Sequence, residues 1–238
     1  MGYYPHEHES FKNIQLWTGM VDEFMKTIHD TGWSPKVFLD IGSCHLEQTI
    51  EVAQYHPNTR FIAFEPVPWS YQLCYKRSLE WDNVEVYNFA ISEVEGYSDF
   101  WIVDQNLGGS SLLEPIDVPL SSNKWDKTRV YCRRLDNFLK YLGIESVDTI
   151  WMDTQGTELN VLKSLGKYID DVLFIHAEAA PKEYYKGHIL KDELESFLHE
   201  KGFETKFKVN GPHPYDEGDI IATKLEKVYN KLYSTDLT

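Results

Sequence analysis

The sequence predicts an α/β domain built on a mostly parallel sheet with helices on both faces. Three observations predict it. Short apolar runs closed by Asp, Glu or Gly recur along the 238 residues, as in Lys36–Ile41, Arg60–Glu65 and Thr149–Asp153. Stretches with apolar residues three and four apart separate these runs, the alternation of βαβ units whose sheet is buried on both faces. No internal repeat and no linker divides the chain, so residues 1–238 read as one domain, within the usual range for this class.

Each element follows in order. Residues 11–30 carry Ile14, Trp17, Val21, Phe24, Met25 and Ile28 on one face, an amphipathic helix that ends before Gly32. KVFLDI (36–41) is the first strand, and a helix runs through Ile50, Ala53 and Gln54. RFIAFE (60–65) is the second, stopped by Pro66 and Pro68 ahead of a helix through Leu73 and Leu79. VEVYNFA (84–90) is the third. Residues 97–134 read as a β-excursion: Tyr97–Val103 and Arg129–Arg134 are strands flanking a Gly/Ser/Pro-rich loop, and long loops inside domains are commonly functional. Alternation resumes with a helix at Leu135–Leu142, a strand at Thr149–Asp153, a helix at Glu158–Leu165 and a strand at Val172–Ala177. A helix over Ile189–Lys201 ends at Gly202, and Phe203–Val209 with Asp219–Lys224 closes the sheet as an antiparallel hairpin. Leu225, Val228, Tyr229 and Leu232 repeat at helical spacing, suited to the sheet or to a second copy, which leaves a homo-oligomer open.

Charge narrows the function. Lys and Arg total 23 against 38 Asp and Glu, a net of −15. Nucleic acid and anionic membranes both require a basic footprint, so neither is expected as the main partner. No apolar stretch approaches the ~18–20 residues that cross a bilayer. The opening MGYYPHEHES has neither a basic nor an apolar signal region, so no secretory signal is expected, and its HEH alternation carries little weight. Cys44, Cys74 and Cys132 are odd in number and form no CxxC pair, which argues against a disulfide framework or structural zinc and predicts a cytoplasmic protein.

In an open parallel sheet, ligands sit outside the carboxyl ends of the strands, where strand order reverses. The residues there are Asp40, Gly42 and Ser43 after the first strand, Glu65 and Pro66 after the second, Asn88, Ala90 and Ser92 after the third, then Asp153 and Glu178. A carboxylate ending the second strand suits a ribose diol, because it accepts two hydroxyl hydrogen bonds in a planar fork. Gly42 permits close backbone approach to a ligand. A dinucleotide would want G-x-G-x-x-G and free helix amides for its pyrophosphate, whereas this turn reads Gly42-Ser43-Cys44-His45-Leu46. NAD and FAD are therefore disfavoured. S-adenosylmethionine has no phosphate, and a carboxylate such as Asp40 can offset its ammonium.

LDIGS (39–43), AFEP (63–66), NFAIS with EG following (88–96), GSSL (109–112), RLDNFL (134–139) and WMDTQGTELNVLKSLG (151–166) occur in that order. With these motifs the chain resembles the FkbM-type S-adenosylmethionine-dependent methyltransferases over about residues 36–180. The resemblance implies a Rossmann-like, seven-stranded methyltransferase sheet whose last strand is antiparallel. It also implies methyl transfer to a hydroxyl of a saccharide or a similar acceptor. By motif position, Asp40, Gly42 and Ser43 would meet the methionine end of the cofactor, Glu65 and Pro66 the ribose, and Asn88, Ala90 and Ile91 the adenine. The sequence departs from the family at Leu46, where a second glycine is usual.

Methyl transfer to an alcohol is an in-line displacement that needs alignment and a proton acceptor. The candidate bases are Asp153, Glu178, Glu158, His176 and His45. Asp153 and Glu178 end consecutive strands and are expected to converge. As in some related O-methyltransferases, their hard oxygens would suit Mg²⁺. Glu158 reads equally as a first-turn residue favoured by the helix dipole, and His176, inside an apolar run, reads first as a core histidine. Ser110 and Ser111 are candidates for hydrogen bonds to substrate, and Trp69, Trp101 and Trp125 for stacking on a sugar face. A small-metabolite or protein methyltransferase and a non-catalytic cofactor-binding module are the alternatives, the last motivated by Leu46.

Overall fold

Strands β1 (Val37–Ile41), β2 (Arg60–Phe64) and β7 (Thr149–Met152) are buried along nearly their whole length, so they need cover on both faces. The computed structural model describes residues 18–103, 107–116, 125–209 and 217–233 and shows how that cover is supplied. Among these residues, seven strands form one sheet in the order β3-β2-β1-β7-β8-β10-β9, with β3 at Val84–Tyr87, β8 at Phe174–Ala179, β9 at Glu204–Val209 and β10 at Gly218–Thr223. The pairs β1/β2, β2/β3, β1/β7 and β7/β8 are parallel, and β10 is antiparallel to both neighbours. The antiparallel strand is last in sequence, as expected, but lies one place in from the edge.

Side chains of successive strand residues point to opposite faces. Leu39, Ile41, Ile62, Phe64, Ile150 and Met152 pack against Leu135, Phe138 and Leu139 of α4 (Leu135–Tyr141), Leu159 and Leu162 of α5 (Glu158–Ser164), and Leu194 and Leu198 of α6 (Lys191–Glu200). Phe38, Phe61, Ala63, Trp151 and Phe174 pack on the other face against Phe24 and Ile28 of α1 (Thr18–His29), Val52 of α2 (Glu47–Ala53), Cys74 of α3 (Pro68–Ser78) and Val228 of α7 (Leu225–Tyr233). Leu232 joins this second cluster, so the tail helix covers the sheet.

Two expectations change. The single strand over 84–90 divides, because Asn88 turns its side-chain amide back to the carbonyls of Glu65 (2.8 Å) and Pro66 (3.1 Å). Beyond it, β4 (Ala90–Ile91) belongs to a second sheet of order β4-β6-β5, with β5 at Gly96–Val103 and β6 at Trp125–Arg133. The excursion is therefore a small sheet with its own core of Phe100, Ile102, Leu107, Val130 and Cys132. Residues 11–17 of the expected first helix, the HEH segment and 117–124 of the loop lie outside the described residues. No helix among the described residues is long and apolar enough to cross a membrane.

Candidate active site

Strand order reverses between β1 and β7, and a cleft opens there, partly to solvent. Its floor is Ile41, Gly42, Cys44, Asp153, Thr154 and Thr157; Phe64, Glu65, Pro66, Val67, Phe89, Ala90 and Ile91 form one wall. Phe100, Leu107, Gly108, Ser110 and Leu112 of the small-sheet region close over it. The need for glycine at 42 has a tighter cause than ligand approach alone. Its φ is +87°, and a Cβ there would stand 2.0 Å from the carbonyl oxygen of Asp153. The ends of β1 and β7 can close together only if residue 42 has no side chain.

The predicted cofactor residues separate into two groups. Gly42, Glu65, Pro66, Ala90 and Ile91 line the cleft, while Asp40, Ser43 and Asn88 do not. Asp40 lies on the Phe38 face of β1, where Thr49 Oγ1 donates to its Oδ2 at 2.6 Å, and burial pushes its carboxyl up to about 7. Ser43 donates to the carbonyls of Asp40 (3.2 Å) and Phe64 (3.3 Å), locking the turn. Asn88 supports the wall from behind. Glu65 accepts from Val67 N at 2.7 Å on one oxygen and from Cys44 N at 2.8 Å on the other. Each oxygen keeps a further lone pair for a hydroxyl. Burial holds this carboxyl up at about 8, against the pull of the two amides.

Leu46 occupies the site of the missing glycine with φ +67°, a left-handed conformation in which glycine is at ease. Its side chain is fully buried in the cluster with Phe38 and Val52 and does not line the cleft. The departure leaves the cavity unobstructed.

Asp153 and Glu178 do converge, through a residue the sequence reading passed over. Gln155 Nε2 donates to Asp153 Oδ1 at 2.8 Å and also to Glu178 Oε2. Tyr185 Oη lies 2.9 Å from Gln155 Oε1 and 2.7 Å from the Gly109 carbonyl, and Ser111 Oγ donates to the Gln155 carbonyl at 2.8 Å. Gln155 itself has φ +56°. Burial raises both carboxyls, Glu178 further because Asp153 and Glu158 crowd it with like charge. Both carboxyls therefore hold their protons to higher pH than free carboxyls do.

The other candidates sit elsewhere. Glu158 turns its carboxylate onto Thr154 N (2.9 Å), Thr154 Oγ1 (3.0 Å) and Gly156 N (3.1 Å), clamping the loop that carries Gln155. His176 lies inside β8, stacked on Trp151 at 3.6 Å and 6°, with Nε2 3.4 Å from Asp219 Oδ1. Burial pushes it down to about 3, the state of a neutral core histidine. His45 is buried and does not line the cleft. Ser110 lines it, whereas Ser111 is committed to Gln155. None of the three tryptophans lines it: Trp69 packs under the small sheet, Trp101 lies beneath Lys127, and Trp125 meets the edge of Tyr185.

The donor set does not suit Mg²⁺. The Gln155 amide nitrogen, a donor, bridges the two carboxylates where a shared cation would stand. Among the described residues, no group of three or more His, Cys, Asp or Glu is placed to hold a metal.

Gln155 and Tyr185 carry no catalytic pattern of their own. The Gln155-Gly156 turn within the most specific motif block is the one signal that marked the first; Tyr185 reaches the site only because 181–190 packs back over it.

The sheet order, the cleft at the strand-order reversal and the acid ending β2 together define a Rossmann-like methyltransferase. The chain matches the FkbM methyltransferase domain over residues 40–205 and belongs to that family. It is 30% identical over 176 residues to the 2-O-methyltransferase NoeI of Sinorhizobium fredii (strain NBRC 101917 / NGR234), covering 68% of this chain and 72% of that one. Among solved structures it is similar to a "putative caffeoyl-CoA O-methyltransferase" from Staphylococcus aureus, with TM-score 0.55, 9% identity and 93% of each chain covered. It also overlays on Aeropyrum pernix fibrillarin with natively bound S-adenosyl-L-methionine (TM-score 0.48, 13% identity, 84% and 74% covered).

Proposed function

We propose that this methyltransferase uses S-adenosylmethionine to methylate a hydroxyl of a saccharide or similar polyhydroxylated acceptor. One observation carries the reading: a cleft with a ribose-type carboxyl, Glu65, on one wall has Asp153 at its floor, linked through Gln155 to Glu178 behind it. The likeness to a protein named a 2-O-methyltransferase supports transfer to oxygen.

The residues present fit the cofactor. Glu65 offers lone pairs to a diol, while Phe64, Phe89, Ala90 and Ile91 offer the flat apolar wall that an adenine requires. Gly42 and Asp153 edge the remaining part of the cleft. When bound, the cofactor supplies a sulfonium-activated methyl group. The chain must then orient the acceptor oxygen, exclude water and take one proton. Asp153, which lines the cleft, takes the hydroxyl proton; Gln155 holds its carboxylate in place, and Glu178 stores the proton that the pair shares. The roof, closed by Leu107, Ser110 and Leu112, excludes water and presents Ser110 to the acceptor. The odd, unpaired cysteines fit a cytoplasmic setting.

The test is calorimetric titration with S-adenosylhomocysteine, followed by an acceptor screen led by glycans that reads its release. Saturable binding and turnover on a hydroxylated glycan are the expected results. Binding without turnover on any saccharide, with turnover on a small metabolite or a protein, would replace the acceptor class. No binding would overturn the reading altogether.

A further inference from the structure

A second constellation lies on the far side of the sheet, at the junction of α1 with the turn after α2. His29 Nε2 and His56 Nε2 stand 3.0 Å apart, with their rings 5.1 Å between centroids and 24° between planes. They line a groove of about 340 Å³ whose walls include Asp22, Glu51 and Tyr55. His29 is exposed, so its ring has room to turn, whereas His56 is held nearly buried.

We propose that His29 and His56 form a binding site for a borderline divalent cation of the zinc class, joining the end of α1 to the turn after α2. Imidazole nitrogens bound to one tetrahedral zinc at ~2.0–2.1 Å lie about 3.3 Å apart. The pair therefore needs to open by only a few tenths of an ångström to admit the ion. No rearrangement of backbone is required, because the two rings already face each other across the helix junction. At present one Nε2 donates its proton to the other; on binding, that proton moves to Nδ1 of the same ring, so both Nε2 lone pairs face the metal without net proton release. Asp22, Glu51 and Lys26 also line the groove, Lys26 being paired with Asp30.

No third His, Cys, Asp or Glu among the described residues joins the pair, so water fills the remaining positions. That makes the site an exchangeable brace rather than a closed structural centre. It is independent of the methyl-transfer site.

Zinc titration of the full chain, followed by calorimetry and by thermal midpoint, tests the proposal. The parent is expected to show one saturable site and a raised midpoint. His29→Ala and His29→Gln should each abolish both effects while leaving S-adenosylhomocysteine binding at the parent value. A variant with His6→Ala and His8→Ala should retain both, separating this pair from the histidines near the start of the chain. Zinc binding that survives both His29 substitutions would overturn the proposal, as would a parent with no saturable site, in which case the pair is a hydrogen bond and nothing more.

Discussion

Gln155 reaches Asp153 with its side-chain amide, donating to Oδ1 at 2.8 Å, and the same nitrogen donates to Glu178. An amide nitrogen between two carboxylates favours their charged forms without the cost of a formal charge, while burial favours protonation. Burial outweighs the bridge, and both carboxyls stand above the usual carboxylate range.

Removing the Asp153 carboxyl should stop proton transfer while leaving the cavity intact. Asp153→Asn is expected to lower kcat by about 10²-fold or more, the usual scale for loss of a general base. S-adenosylhomocysteine affinity should stay near the parent value. Steady-state kinetics beside calorimetry reads both, and an unchanged kcat would remove Asp153 from the mechanism.

Gln155→Glu replaces the bridging donor with a third carboxylate in one buried site. Like charges crowded together hold protons more tightly. The acidic limb of the kcat–pH profile should move to higher pH than in the parent, and turnover at neutral pH should fall. A pH–rate series across pH 5.5–9 decides it.

The two acids first assigned to the cofactor should behave differently. Glu65→Gln keeps the size but replaces one acceptor oxygen with a donor amide, so S-adenosylhomocysteine binding should weaken by about tenfold, the value of one hydrogen bond. Asp40 faces α2 through Thr49 and does not line the cleft, so Asp40→Asn should leave affinity nearly unchanged. Equal losses in both variants would contradict the geometry.

Stability should fall as pH rises. Asp40 and Glu158 are held up at about 7, Glu65 at about 8, and Asp153 and Glu178 are raised as well. Between the ordinary carboxylate range and these values the folded chain binds more protons than the unfolded one, so the slope of unfolding free energy with pH is negative. The thermal midpoint is expected to be higher at pH 5.5 than at pH 8.5, with Glu65→Gln flattening the trend. A midpoint that climbs over this range would show that these carboxylates are ionised at lower pH than their burial implies.

Leu46→Gly separates backbone strain from packing. Glycine relieves a left-handed penalty of roughly 1–2 kcal/mol, but it empties a buried leucine site, whose truncation costs about 2–5 kcal/mol. Net destabilisation in denaturant unfolding is expected, with cofactor affinity unchanged because Leu46 does not line the cleft.

The sequence by itself determined the βαβ alternation, the antiparallel closing strand and the positions of Glu65, Asp153 and Glu178 at strand ends. Those features follow from short-range patterns: apolar periodicity, turn residues after each strand and a motif block around Asp153. It also held enough to weigh His176 as a core residue, which its stack on Trp151 explains. Only the tertiary structure decided the rest. VEVYNFA reads as one strand because each residue suits a strand; it divides because Asn88 bonds to carbonyls 22 and 23 residues away. Asp40 looks like a cofactor ligand from its place after β1, yet its parity on the strand sends it to the face opposite Leu39 and Ile41. Gly42 reads as room for a ligand, and the carbonyl of Asp153 takes that room instead. Gln155 and Tyr185 become parts of the site because three distant segments fold onto one strand end. Such contacts depend on sequence separations that no local pattern encodes, and on burial that only the assembled sheet provides.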